Sequence, residues 1–186
     1  ADMVILAIGV KPNSLLAQKA GLDLNMFGGV LVDEHLRTKD PNIYAVGDVI
    51  EVAHLVDGEK AMIPLAGPAN KQGRIAADNI CGMDRTYRGS QGTSVVKLFD
   101  LSAASTGYNE KQLQKKGLRR GQDYFSVVSL PKSHAEYYPG PMPMTLKMHF
   151  SPEGKILGAQ AVGQEGVDKR IDVLATVMRL GGGVHQ

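Results

Sequence analysis

Apolar residues follow two different rhythms along the chain. In the first half they come in short blocks broken by glycine, proline or asparagine. Asp2 to Gly9 reads as a buried strand, Lys11-Pro12-Asn13 stops it, and Ser14 to Ala20 fits a short helix closed by Gly21. Gly28-Gly29 reads as a turn, and Val30 to Val32 as a second short strand. Ile43 to Val46 is a third apolar run, ending in Gly47 and Asp48. The segments 49–56 and 61–63 flank Asp57-Gly58, a pair suited to a hairpin turn. A helix is predicted from near Pro68, with Ile75 and Ile80 on its apolar side and Ala69, Ala76 and Ala77 allowing close packing. Strands and short helices that alternate in this way point to an α/β arrangement.

The pattern changes across Tyr87 to Thr93, a Gly- and Ser-rich stretch that predicts a domain boundary, with units over 1–90 and 91–186. Segments 94–99 and 101–105 read as strands. Asn109 with Gln112 three residues on has the form of a capping box for a helix ending near Lys116. Tyr124 to Leu130 is a further strand. Met144 to Phe150 and Ile156 to Val162 are joined by Ser151-Pro152-Glu153-Gly154, which predicts an antiparallel hairpin. Val167, Ile171, Leu174 and Met178 recur at helical spacing. Strands, helix, strands, helix make an α+β module.

Composition narrows the function classes. The chain has 186 residues, 43% of them hydrophobic, and its 21 basic and 19 acidic residues leave a net charge of +2. So small an excess gives no reason to expect a nucleic-acid or anionic-membrane partner. The group Lys111, Lys115, Lys116, Arg119 and Arg120 reads as the solvated end of a helix. No run reaches the roughly 20 apolar residues of a membrane span, and a cytoplasmic protein is expected. The one cysteine, Cys81, excludes an intrachain disulfide and any multi-cysteine metal site, so no metal is expected. Its place before Gly82, at a predicted helix end, suggests a small hydrophobe rather than a redox thiol.

Two features carry candidate chemistry. Gly47 ends an apolar run where a ligand or another backbone can come close, and Asp48 then offers a carboxylate that accepts hydrogen bonds from sugar hydroxyls. An ordinary Gly-Asp turn is the competing account. Tyr137 and Tyr138 stand before Pro139-Gly140, an unusual pair of adjacent tyrosines whose phenols can donate hydrogen bonds or make an aromatic contact. His134 beside them is read as structural.

Taken in order, several segments resemble the FAD-dependent pyridine nucleotide-disulfide oxidoreductases, in the branch of coenzyme A-disulfide reductases, NADH oxidases and persulfide reductases. They are the segments 7–13, 38–48, 65–74, 133–140 and 166–172. The resemblance implies an α/β fragment of a FAD/NAD(P)-binding domain followed by an α+β dimerisation domain. Cofactor contacts are then expected at Ile8, Gly9, Gly47, Asp48, Leu65, Ala66 and Gly67. Asp48 would bind the ribitol of FAD, and a helix start at Leu65 to Gly67 would face the pyrimidine side of the flavin, where free N–H groups and the helix dipole favour negative charge. Asn70, Lys71 and Arg74 would meet the nucleotide end of coenzyme A, or simply face solvent. Tyr137 and Tyr138 would act in the partner's active site.

The chain has no Gly-x-Gly-x-x-Gly fingerprint, and it stops soon after Gly181-Gly182-Gly183. A carboxyl-terminal fragment, inactive alone, is therefore expected. Its parent would be a homodimer that passes electrons from NAD(P)H through FAD to a coenzyme A disulfide or persulfide. NADH oxidase or peroxidase is the alternative in the same class, and a non-catalytic dimerisation module is the alternative outside it.

Overall fold

The structure, a computed structural model, describes residues 1–185. These form two compact units, one of residues 1–53 and 60–89, the other of residues 54–59 and the described residues from 90 onward.

In the first unit, α1 (Leu15–Lys19) begins after Ser14 and is followed by Gly21 with φ of 73°. Strands β1 (Glu51–Ala53) and β2 (Lys60–Met62) pair antiparallel, as the Asp57-Gly58 signal predicts. Helix α2 (Ala66–Ile80) starts two residues before Pro68, which sits in the first turn where its missing N–H costs nothing. Val30, Leu36, Ile50, Val52, Ile75, Ala76 and Tyr87 make the core.

Four sequence expectations change here. The segment 2–9 is not a strand, because a strand is defined by its ladder and this run pairs with none of the described residues. Its apolar side chains stand exposed, Ile8 by 90%. Val30 makes only single bridges, to Leu24 and Ile50, and the run Ile43 to Val46 makes one, from Tyr44 to Arg37. Both runs still reach the core through side chains, so burial rather than pairing produced their apolar pattern. Ile80 is 66% exposed and lies off the buried face of α2, and Cys81 just beyond it is exposed too.

The second unit is a five-stranded antiparallel sheet in the order β3-β4-β7-β6-β5. Its strands are β3 (Ser94–Leu98), β4 (Leu101–Gly107), β5 (Phe125–Ser129), β6 (Met144–Phe150) and β7 (Ile156–Gly163). The predicted strands and the β6–β7 hairpin are all present; Phe99 drops out of β3, turning with φ of 52°, and Tyr124 and Leu130 lie just outside β5. Helix α3 (Glu110–Lys115) carries the predicted capping box. Asn109 Oδ1 accepts the Gln112 N–H and Gln112 Oε1 accepts the Asn109 N–H, each at 2.9 Å. Helix α4 (Val167–Arg179) lays Val167 and Ile171 onto Ala104, Met144, Ala159 and Ala161. Alanines on the sheet let the helix backbone come close, and the larger helix residues fill the gap.

Another cluster of this unit joins Val56, Tyr108, Leu113 and Tyr124. Above it His54 stacks on Tyr108 at 4.0 Å, and the Tyr108 hydroxyl donates to both oxygens of Asp57, at 2.9 and 2.8 Å. Lys116 pairs with Asp57 at 2.8 Å and with Glu59. Of the basic group read as solvated, Lys116, Arg119 and Arg120 are thus ion-paired, the last two with Asp123 and Glu110. Burial and the Asp57 hydrogen bond push the Tyr108 hydroxyl up to about 12, so it stays protonated and keeps donating.

Candidate functional site

The Gly47–Val49 stretch forms one turn of 3-10 helix with Asp48 at its exposed centre. Gly47 has φ of 80°, and a Cβ placed there would meet only Ala69 Cβ at 3.7 Å. Left-handed backbone by itself requires the glycine here, and no other backbone comes within 4 Å of that Cβ. What holds this turn is Gln72 on α2. Its Oε1 accepts the Gly47 N–H at 2.7 Å, and the residue is 2% exposed. A buried glutamine spaced among alanines gives no sequence signal of this role, and sequence reasoning missed it.

Asp48 opens onto a cleft of about 850 Å³. Lys11, Asn13, Phe27, Met62 and Pro64 are among the residues that line it. The expected contacts Ile8 and Gly9 lie just before the first lining residue, Val10, and are themselves exposed.

Leu65 is the N-cap of α2 and supplies no side-chain cap. The Leu65 N–H donates to Ile63 O at 2.9 Å and the Ala69 N–H to Leu65 O at 3.2 Å. Between them the N–H groups of Ala66 and Gly67 have no partner inside the helix, by the geometry of any first turn. Together with the positive end of a 15-residue helix they form an anion-favouring surface. Asn70, Lys71 and Arg74 are exposed and, with Gly67, fall within an arc of about 100° on the face away from Gln72, Ile75 and Ala76. All three can therefore meet one ligand.

In the second unit, Tyr137 and Tyr138 sit on the loop between β5 and β6, 89% and 66% exposed. The base of the loop is fastened: the Ser133 N–H donates to Met142 O at 2.8 Å, the Met142 N–H donates to Ser133 Oγ at 3.0 Å, and Lys132 bridges Pro143. His134 meets Tyr138 edge-on at 5.9 Å, so it helps seat that ring. Lys132 pairs with Glu136 at 2.7 Å and holds the Glu136 carboxyl below the usual range. The tyrosines are thus presented outward from a closed base. Among the described residues no group of His, Cys, Asp and Glu is arranged to hold a metal, and no helix is long and apolar enough to cross a membrane.

Residues 1–73 match the family profile described as pyridine nucleotide-disulphide oxidoreductase, and residues 93–186 match the dimerisation domain of the same family. The chain belongs to this family. Its fold is a FAD/NAD-binding portion followed by the dimerisation domain. The chain is similar to reduced Bacillus anthracis CoADR-RHD, with 50% identity and a TM-score of 0.91 over 98% of this chain and 32% of that one. It is also similar to a NAD-dependent persulfide reductase from A. fulgidus, with 42% identity and a TM-score of 0.92 over 100% of this chain and 34% of that one. An NADH oxidase of Methanocaldococcus jannaschii is 38% identical over 94% of this chain and 38% of its own length. This pyridine nucleotide-disulphide oxidoreductase chain thus spans 32% to 38% of these relatives.

Proposed function

We propose that the chain is the carboxyl-terminal part of a homodimeric flavoenzyme in which NAD(P)H reduces FAD and the electrons pass to a coenzyme A disulfide or persulfide. In this reading residues 1–90 end the NAD-binding domain and carry the carboxyl-terminal part of the FAD-binding domain, and residues 91–186 form the dimerisation domain. The observation that carries it is the cleft with Asp48 at its mouth, built on a Gly47 turn that Gln72 fixes to α2. Its residues fit a flavin, with a carboxylate for ribitol hydroxyls and apolar walls, and the start of α2 with its two N–H groups follows just after the lining residue Pro64. When bound, FAD supplies two-electron transfer between a nicotinamide and sulfur.

Each protein group then has one task. Asp48 accepts hydrogen bonds from hydroxyls and orients the chain that bears them. Ala66 and Gly67 offer N–H groups to the side of the ring that gains negative charge, and as fixed dipoles they need no reorganisation. Ile8 and Gly9 border the nicotinamide cofactor. Asn70, Lys71 and Arg74 bind the phosphates of coenzyme A, the guanidinium being the group whose geometry best suits them. Tyr137 or Tyr138, reaching the partner's site, donates its phenolic proton to the departing thiolate or persulfide sulfur. The cytoplasm, which holds NAD(P)H, is the setting this reading requires.

The second reading is an NADH oxidase or peroxidase, favoured by the likeness to the Methanocaldococcus protein. Steady-state NAD(P)H oxidation by the longer protein, with coenzyme A disulfide, coenzyme A persulfide and oxygen offered separately, decides between them. The first reading expects kcat/KM for a coenzyme A acceptor to exceed that for oxygen by about a hundredfold or more. Oxygen as the preferred acceptor would establish the second.

A further inference from the structure

The wall of the cleft is set by a residue that does not line it. The segment 24–30 folds back on itself, with Leu24 bridged to Val30 and the tip Met26-Phe27 exposed at the cleft. Every polar atom of the Asn25 side chain is used at this tip. Its Oδ1 accepts the Phe27 N–H at 2.9 Å and the Gly29 N–H at 2.8 Å. Its Nδ2 donates to Glu51 Oε1 at 2.8 Å and to the Met62 thioether at 3.5 Å. The Asn25 backbone closes the same turn, its N–H donating to Gly29 O at 2.8 Å and its carbonyl accepting the Gly28 N–H at 3.0 Å. Asn25 therefore fixes the turn that carries Met26 and Phe27, and ties it to β1 through Glu51 and to the end of β2 through Met62. Gly29 is part of the device, because a Cβ there would fall 2.4 Å from Met62 Sδ and 3.0 Å from Asn25 Nδ2.

Met26, Phe27 and Met62 all face the cleft that Asp48 borders. Two thioethers and a phenyl ring are a surface for a flat, fused aromatic ring, to which sulfur and ring edges are attracted in specific geometries. An exposed Met-Phe pair held by this many hydrogen bonds is presented rather than left over. We infer that Asn25 is a positioning residue that holds Met26, Phe27 and Met62 as an aromatic-binding wall against the ring system of the cofactor. The inference rests on the flavin reading above and names what shapes that site from behind.

The test uses the longer protein with FAD bound. Asn25→Ala frees the tip and is expected to weaken FAD retention about tenfold or more, with a changed flavin absorbance envelope. Asn25→Asp keeps the acceptor for Phe27 and Gly29 but sets two carboxylates against each other at Glu51; it should weaken retention similarly. The pair Asn25→Asp with Glu51→Gln restores a donor across that contact and should bring FAD affinity back to within about threefold of wild type. Unfolding midpoints of the FAD-free variants, read alongside, separate a displaced wall from a lost fold. Phe27→Ala removes an exposed ring without touching the hydrogen bonds, so it carries the test if the Asn25 variants do not fold. Phe27→Ala or Asn25→Ala with wild-type FAD affinity and an unchanged flavin spectrum would overturn the inference. A wild-type protein that binds no FAD would instead remove the flavin reading beneath it.

Discussion

At the scale of single residues, Gln72 and Gly47 show how a surface turn can be held by a buried side chain from a helix distant in sequence. The Gln72 side chain is buried and accepts the Gly47 N–H, so shortening it leaves that donor without a partner. Gln72→Ala is expected to cost about 1–3 kcal/mol of stability, while Gln72→Glu, compared at a pH low enough to keep the buried carboxyl neutral, retains an acceptor at the same place and costs less. Gly47→Ala adds strain of about 1–2 kcal/mol, because the backbone there has φ of 80°. Chemical denaturation of the three variants measures both effects. Equal losses in Gln72→Ala and Gln72→Glu would show that the hydrogen bond does not hold the turn. Asp48 and Gly47 were legible as a pair from the sequence because a carboxylate after an apolar run and a glycine is a recognisable order. Gln72 and Asn25 were not, since each acts through backbone groups distant in sequence.

At the scale of elements, the cluster under Tyr108 makes a pH prediction. His54 is buried and stacked on Tyr108, and burial pushes its pKa below the ordinary 6.5; His149, fully buried between Ser126 and Gln160, shifts the same way for the same reason. A depressed folded pKa means that the unfolded chain binds the proton more readily. Stability from both histidines is therefore complete above 6.5 and declines as pH falls through their folded values. For Asp57 burial works upward, but the hydrogen bonds from Lys116 and Tyr108 outweigh it, and its pKa is lowered. Its contribution is complete above the ordinary 3.8 and is lost only at more acid pH. Urea midpoints should thus fall in two stages on acidification, the first below 6.5. His149→Gln should flatten that first stage, and a midpoint independent of pH between 7 and 5 in wild type would contradict this account.

Helix α4 carries the other element-scale expectation. Ile171 is buried against the alanines of β4 and β7, so Ile171→Ala should cost about 2–5 kcal/mol. Val173→Ala, at an exposed position of the same helix, should change stability by less than about 0.5 kcal/mol. This unit was legible nearly strand by strand. Its strands pair with neighbours in the same segment, and Val167, Ile171 and Leu174 pack on one sheet, so local pattern and tertiary packing agree. The first unit was less legible. The runs 2–9 and 43–46 look like strands by composition, yet a ladder is a property of two segments, and apolar composition names only one of them.

At the scale of the whole molecule, the proposed function gives this chain cofactor-facing and partner-facing surfaces, while its only cysteine is exposed Cys81 at the end of α2. The chain alone is expected to show no turnover of coenzyme A disulfide with NAD(P)H, and measurable turnover would show that the reading of Cys81 as a bystander is wrong. In the longer protein, replacing both Tyr137 and Tyr138 by Phe should lower kcat for the coenzyme A acceptor by about 10²–10⁴-fold. Reduction of the flavin by NAD(P)H should be unchanged, and stopped-flow kinetics separates the two half-reactions.

The central claim is that the Gly47–Asp48 turn forms part of a flavin site. The most direct measurement is the dissociation constant of FAD for the longer protein and for its Asp48→Ala variant, read from flavin fluorescence. A carboxylate that accepts hydrogen bonds from ribitol contributes about 1.5–3 kcal/mol. The variant should then bind FAD about 10- to 100-fold more weakly, with its unfolding midpoint in the absence of FAD unchanged, because Asp48 is exposed. Equal affinity in the two proteins, or no FAD binding by wild type, would contradict the account.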